Sequence, residues 1–502
     1  MSKKPILIIS CLIVLLVSLS FLLLSDTVPE ADVPQELEVL CAAGLRRPVE
    51  EVARKYEAEY GVKINLNYGG SGQLYGTMKL RGGDLYIPAD ISYIDDAKKA
   101  GLVAESIPLS HLTAGIIVPK GNPKNIKTLA DLQRDDVSLA IASETAAVGK
   151  FTHKVLRQAK LLDGISSGEV NKFPTVNEVA VQVKLRAADA GIVWDALMPQ
   201  YKNCEFIRVA EFNVKRKTAN VGVIRSTNNP TGALKFARYL TSKKGAEVFK
   251  KKGFDVVSEN FAEWKERPKV VLYAGSMLRP AIQDQLKQFE NREGCEVIVK
   301  YDGCGVLVSA MKSGETPGAF FSCDVSFMEQ VQEKFHASVV VAANDIVILV
   351  PKGNPRNIQS LDDLVGQKLK LGIADQNKSA LGKLTYQMLA NQQLLENLIA
   401  SGNIVTTVAK GDDLVNQMQT NALDVALLYR SNAMASSGIM KHCEIVGVEA
   451  GKAYAHQPFA IAKDSKNSRL LVRLGEFLTS EESKESFLKY GFYWEFDQSV
   501  SE

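Results

Sequence analysis

The stretch "TAGIIVPKGNPKNIKTLADL" at 113–132 decides the fold, because the chain writes it again as "NDIVILVPKGNPRNIQSLDDL" at 344–364. Both hold an apolar run, the pentad PKGNP and an Asn-Ile pair before a Leu-rich start. The pentads begin at Pro119 and Pro351, an offset of 232. Working outward, "CAAGLRRPVEEVARKYEAEYGVKINLNYGGSGQL" (41–74) matches "YAGSMLRPAIQDQLKQFENREGCEVIVKYDGCGVL" (273–307). "GDLYIPADISY" (83–93) matches "GAFFSCDVSF" (318–327), and "AADAGIVWDA" (187–196) matches "NALDVALLYRS" (421–431). "YLTSKKGAEVFKKKGF" (239–254) matches "FLTSEESKESFLKYGF" (477–492), where the offset has drifted to 238. Order is kept throughout. A period this long is a whole domain written twice, not a solenoid unit. The expected divisions are 36–265 and 270–496, joined through "EWKERPKV" (263–270).

Within each copy, short apolar runs ending in small residues alternate with segments of helical spacing. "LEVLCAAG" and "KVVLYAG" read as buried strands. "PVEEVARKYEAEYG" reads as a helix with a glycine stop. The alternation argues an α/β class with parallel strands, and ligands in such sheets sit beyond the carboxyl ends of the strands. "YGGSGQL" lies at one such end. Its glycines allow close backbone approach, and a helix start favours an anion. It also reads as a plain glycine-rich turn with Ser71 as a cap.

The 502 residues exceed one ordinary core, and a net charge of +3 gives no general pull toward nucleic acid. No nucleophile–base pair, cofactor fingerprint or metal motif is present, so neither catalysis nor a cofactor is expected. With five histidines and no H-x-x-x-H pair, a zinc site is not expected either. Residues 1–30 stand apart. "MSKKP" precedes the uncharged run Ile6 to Leu24, long enough to cross the roughly 30 Å hydrocarbon core. A retained signal anchor and a cleaved signal peptide are both open, with length favouring the anchor. Either places the remainder, after a tether at 31–35, on the periplasmic or extracytoplasmic side.

Taken together, "CAAGL", "YGGSGQL", "GDLYIPAD", "AADAGIVWDA" and "YLTSKKGAEVFKKKGF" resemble the molybdate-binding receptors of ABC importers, which are type II periplasmic binding proteins. The resemblance covers both copies. It implies two tandem type II domains, each of two α/β lobes joined by crossing strands with a ligand cleft between them. It implies an oxyanion ligand, molybdate or tungstate, and an importer permease as partner. Receptors of that kind hold the dianion with uncharged donors: two serines, second-lobe amides and a tyrosine. Carried over, these positions hold Gly44, Ser71 and Trp194 in the first copy and Ser276, Cys304 and Tyr429 in the second. The amides fall near Val148 and Val179, and near Leu381 and Leu414. Each copy thus lacks one serine, and Glu178 and Asp413 stand beside presumed amide positions.

Arg47-Pro48 and Arg279-Pro280 align and do not belong to that pattern. Two readings stand: arginines that line the cleft and neutralise an anion, or arginines that reach solvent or an acid. Cys304 and Cys323 both fall at strand ends, and a disulfide, two free thiols and a soft metal pair remain open. The alternative to a receptor feeding an importer is an anchored sensor or scavenger of a different anion.

Overall fold

A computed structural model describes residues 36–162, 164, 170–213, 216–257, 263–435, 438–448 and 453–496. The apolar run Ile6 to Leu24 lies outside them. Among the described residues, no helix is long and apolar enough to cross a membrane. The chain divides into a first unit, 36–106, 110–236 and 251–255, and a second, 107–109, 237–250 and 256–496, among the described residues.

The first unit holds two sheets. Its strands are β1 (Glu36–Ala42), β2 (Lys63–Gly69), β3 (Leu85–Ile87), β4 (Val103–Leu112), β5 (Ala114–Pro119), β6 (Leu139–Ala142), β7 (Val170–Phe173), β8 (Ala190–Trp194), β9 (Cys204–Ile207), β10 (Lys217–Ile224) and the short β11 (Asp255–Val256). One sheet has the order β11-β4-β10-β3-β1-β2, the other β7-β6-β8-β5-β9. β1 runs parallel to β2 and β3, and β6 parallel to β7 and β8. The expected α/β class with parallel strands is therefore present. Only Thr113 separates β4 from β5, so the chain passes from one sheet to the other within one residue. It returns through β10, antiparallel to β3.

The second unit repeats the scheme with β12 (Lys269–Gly275), β13 (Glu296–Asp302), β14 (Ala319–Phe321), β15 (Val339–Pro351), β16 (Leu371–Ala374), β17 (Ile404–Val408), β18 (Val425–Tyr429), β19 (Cys443–Val446), β20 (Tyr454–Ile461) and β21 (Tyr493–Trp494). Here the crossing strand is unbroken. Residues 339–345 of β15 pair with β20, and residues 346–351 pair with β18 and β19. One ladder, β13-β12-β14-β20-β15-β18-β16-β17, results.

PKGNP is a turn device. Gly121 and Asn122 take φ of 84° and 45°, and Gly353 and Asn354 take 78° and 44°. Glycine tolerates that region freely and asparagine better than most residues. The Asn122 side chain donates to Ile126 O at 2.7 Å and accepts from Ile126 N at 3.0 Å. Asn354 makes the same pair with Ile358 at 2.7 and 2.9 Å. The pentad is therefore a turn of the same geometry in both copies, held by its asparagine.

Candidate functional site

In the first unit the carboxyl ends of β1, β2, β6 and β7 and the last residue of β8 converge on a cavity of about 20 Å³, room for about one water molecule. Three helices start at its wall: Ser71–Arg81, Ala147–Gln158 and Val176–Lys184. Each opens with backbone N–H groups that lack a partner one turn back, and each carries partial positive charge at that end. Ala42, Gly44, Gly70, Ser71, Ala89, Ala147, Val148, Thr175, Val176 and Trp194 line the space, and none of the lining side chains is ionisable.

Ser71 is 1% exposed. Its Oγ accepts the Ala89 N–H at 3.2 Å, which leaves the hydroxyl proton to be donated elsewhere. Ser71 is the first helical residue, not the cap; Gly70 holds that position. Glu178, which sequence placed uncomfortably close, is exposed. Thr175 Oγ1 accepts Glu178 N at 3.3 Å and donates to its Oε1 at 2.7 Å. Thr175 is thus the N-cap, with the Glu178 carboxylate turned back onto the cap hydroxyl, and Glu178 does not line the cavity.

The two lobes of this unit are in contact across the cavity. Gly72 N donates to Thr145 O at 2.7 Å, and Asn177 Nδ2 donates to Ala43 O at 3.0 Å. A Cβ on Gly72 would lie 2.9 Å from Thr145 O, and one on Gly70 would lie 3.0 Å from Pro174 O. The glycines of this loop thus serve the approach of the opposing backbone.

Of the residues carried over by resemblance, Gly44, Ser71, Val148 and Trp194 meet at the cavity. Val179 does not. Its amide is spent on Thr175 O at 3.4 Å, and its side chain packs beneath Gly191, where a Cβ would lie 2.7 Å from Val179 Cγ1. Val176, at the helix start, lines the space instead. The T-x-x-E signature at 175–178 marks that start in the sequence. Gly44 has a physical reason: a Cβ there would lie 3.1 Å from Val176 Cγ1 and 3.5 Å from Trp194 Cδ1.

Arg47 is exposed and does not line the cavity. The structure also pairs the copies one residue differently from the Arg-Pro alignment. From β1 to Ser71 the correspondence is a constant 233: Glu36 with Lys269, Arg46 with Arg279, Gly61 with Gly294, Ser71 with Cys304. Arg279 therefore matches Arg46, and Ser276 matches Ala43. Arg46 lies over the Tyr68 ring at 4.9 Å and Arg279 over Tyr301 at 4.7 Å. These twin cation–π contacts hold both arginines on the tyrosine beside their own helix.

In the second unit the corresponding corner is differently built. Cys304 and Cys323 form a disulfide. Cys304 Sγ also takes the Cys323 N–H at 2.9 Å, as Ser71 Oγ takes that of Ala89. A Cβ on Gly275, the counterpart of Ala42, would lie 2.3 Å from Cys323 Sγ. The sulfurs thus stand against the counterpart of a residue that lines the first cavity. Ser276, Leu381, Leu414 and Tyr429 are all buried. Leu414, like Val179, packs under a strand glycine: a Cβ on Gly372 would lie 2.8 Å from it. Tyr429 OH is buried without a hydrogen-bond partner, and burial raises its pKa well above the ordinary tyrosine value. Asp413 is exposed. Its neighbour Asp412 is largely withdrawn from water; burial raises its pKa, opposed by the bond from Asn432 at 2.9 Å and by Arg279. No group of three or more His, Cys, Asp or Glu among the described residues could hold a metal.

Two lobes, crossing strands and a cleft at the strand ends define a solute-binding protein. The family model of the bacterial extracellular solute-binding protein matches residues 37–255 and again 270–493, and the chain belongs to that family as a tandem duplication. The molybdate-binding protein ModA of Mycobacterium tuberculosis is 27% identical over 227 residues, 44% of this chain and 84% of that protein. ModA of Escherichia coli is 20% identical over 240 residues, 45% of this chain and 88% of that protein. Among solved structures, the Azotobacter vinelandii periplasmic molybdate-binding protein is 17% identical, over 44% of this chain and 100% of that one, with a TM-score of 0.40.

Proposed function

We propose that the chain is an extracytoplasmic receptor whose two solute-binding domains, residues 36–265 and 270–496, have diverged. The first binds a small tetrahedral oxyanion of the molybdate or tungstate type for delivery to an ABC importer. The observation that carries this reading is the first cavity. Three helix starts and the Ser71 hydroxyl surround it, and no carboxylate reaches it. A fully ionised oxyanion needs donors only. The molybdate-binding relatives support the ligand class. The second domain keeps the fold but sets a cystine and the Asp412 carboxylate near the corresponding place, which disfavours a dianion. The N-terminal run holds the chain at the membrane.

Calorimetry of the chain lacking residues 1–35, titrated with molybdate, tungstate, sulfate and phosphate, tests the ligand. Molybdate and tungstate should bind tightest. Binding of none of the four sinks the oxyanion reading and leaves a sensor or scavenger of another anion. N-terminal sequencing of the mature protein tests the anchor, and a start near Asp26 removes it.

A further inference from the structure

Two lysines of the first unit reach from one lobe to the other, and neither lines the Ser71 cavity. The helix Ser92–Lys99 follows β3 and belongs to the first lobe; the helix Ala147–Gln158 follows β6 and belongs to the second. Lys150, on the second-lobe helix, sets its Nζ 4.6 Å from the centre of the Tyr93 ring and 3.5 Å from Asp96 Oδ2, both on the first-lobe helix. Tyr93 OH donates to Glu144 O at 3.4 Å across the same gap. Tyr93 is buried, while Lys150 and Asp96 are exposed.

Lys217 makes the second crossing. It opens β10, in the first lobe, and its Nζ lies 2.8 Å from Oδ2 of buried Asp90. The same Nζ stands 4.7 Å from the centre of the Phe151 ring, on the second-lobe helix. Phe151 in turn stacks on Trp194, with centroids 6.3 Å apart and planes inclined by 18°. Trp194 lines the cavity. Ala89, next to Asp90, donates its N–H to Ser71 Oγ. A cation is drawn to a ring face only while the two are together, so each crossing favours the closed lobes.

The second copy supplies an internal comparison. Lys383 and Lys150 are each the fourth residue of their helices, Ala380–Asn391 and Ala147–Gln158. Lys383 lies 5.8 Å from the centre of the Phe327 ring, and Phe327 is the counterpart of Tyr93. The other partners differ: Gln330 stands in the place of Asp96, Phe327 has no hydroxyl, and Tyr454 opens β20 where Lys217 opens β10. The lysine over an aromatic ring is thus common to both copies. At these places the extra carboxylate, the hydroxyl and the second lysine belong to the first copy alone.

We propose that Lys150 and Lys217 are positioning residues for closure of the first domain. They hold its lobes together and so set how long a bound oxyanion stays, while recognition rests with Ser71 and the helix starts. The effect on residence time depends on the oxyanion reading; the closure does not.

Closure is tested first on the full chain without ligand. Gly72 is the second residue of its helix, and its N–H is bonded to Thr145 O in the other lobe. Hydrogen exchange of that amide therefore reports opening of the lobes. Mass spectrometry of the peptide covering 69–74 should show exchange faster by about threefold to tenfold in Lys150→Gln, and by at least as much in Lys217→Met. Lys150→Arg, which keeps a cation for ring and carboxylate, should exchange near the parent rate. So should the 69–74 peptide in Lys383→Gln and the β1 peptide in every variant. Stopped-flow with molybdate as the probe should then show dissociation faster by a like factor in Lys150→Gln, with association little changed. Molybdate and tungstate should still bind ahead of sulfate and phosphate. The proposal is overturned if Lys150→Gln and Lys217→Met both leave the 69–74 peptide at the parent rate. It is equally overturned if β1 accelerates as much, if Lys383→Gln has the same effect, or if bound molybdate leaves parent and variants at one rate. A chain that binds none of the four anions yet shows the exchange pattern loses the oxyanion reading and supports the closure.

Discussion

Gly72 and Thr145 are joined by a 2.7 Å backbone hydrogen bond that ties the loop after β2 to the loop after β6, across the cavity of the first unit. The bond is possible because position 72 has no Cβ; a methyl there would sit 2.9 Å from the Thr145 carbonyl oxygen. Gly72→Ala should therefore hold the lobes apart. The strain of forcing closure is about 1–3 kcal/mol, so molybdate affinity should fall roughly tenfold or more. Titration calorimetry reads this directly. Parent affinity in the variant would mean that the liganded form does not use this contact.

Ser71 and Arg47 should behave oppositely. Ser71→Ala removes one neutral donor and should cost about 0.5–1.5 kcal/mol of binding. Arg47→Gln, exposed and off the cavity, should bind as the parent does. A large loss at Arg47 with none at Ser71 would move the site to the helix surface.

The second domain should not add to oxyanion stoichiometry. One molybdate per chain is expected. Cys304→Ser with Cys323→Ala and Asp412→Asn empties the corner, restores a hydroxyl and removes the carboxylate, and should raise the stoichiometry toward two. Two equivalents bound by the parent would show that cystine and carboxylate are no obstacle.

Glu293 should govern part of the acid limit of folding. Burial pushes its pKa up, but Arg473 and Arg238 outweigh burial and hold it below the usual carboxylate range. A depressed folded value means stability that is present above the unfolded value of about 4.3 and lost as pH falls through the folded one. Glu293→Gln should destabilise the protein at pH 7 by about 3–5 kcal/mol, since it removes the carboxylate charge that Arg473 and Arg238 share. Its urea midpoint should then fall less steeply than the parent's below pH 4. Parallel midpoint curves for the two proteins would exclude Glu293 from acid unfolding.

The repeat, the lobes and the strand-end position of the cleft were readable because they rest on periodicity and on glycines with a job to do. Gly61 and Gly294 both stop a helix at φ 68° and 61°. The one-residue register was not readable. The Arg-Pro pairs looked like fixed points, yet helix phase follows the end of the preceding strand, and Pro48 and Pro280 occupy different helical positions. Val179 was misplaced for a related reason: an amide three residues into a helix already has a partner. The T-x-x-E signature at 175–178 marks that helix start and therefore Val176. Sequence alone keeps three readings of Cys304 and Cys323 open, because chain spacing does not show that β12 lies between β13 and β14, which brings both sulfurs over Gly275.

The crossing strands carry a mechanical consequence. In the first domain the ladder is interrupted at Thr113, whose N–H is held by Asp195 Oδ1 at 3.0 Å and whose carbonyl takes the Asp195 N–H at 2.8 Å. Bending there asks one residue to change its dihedrals. In the second domain the thirteen residues of β15 run through both lobes, but the partner changes from β20 at Asp345 to β18 at Ile346, so a bend at that step also leaves the rungs on either side intact. Two halves written from one template thus place the bend at the same point of the chain, at Thr113 in the first and at Asp345 in the second.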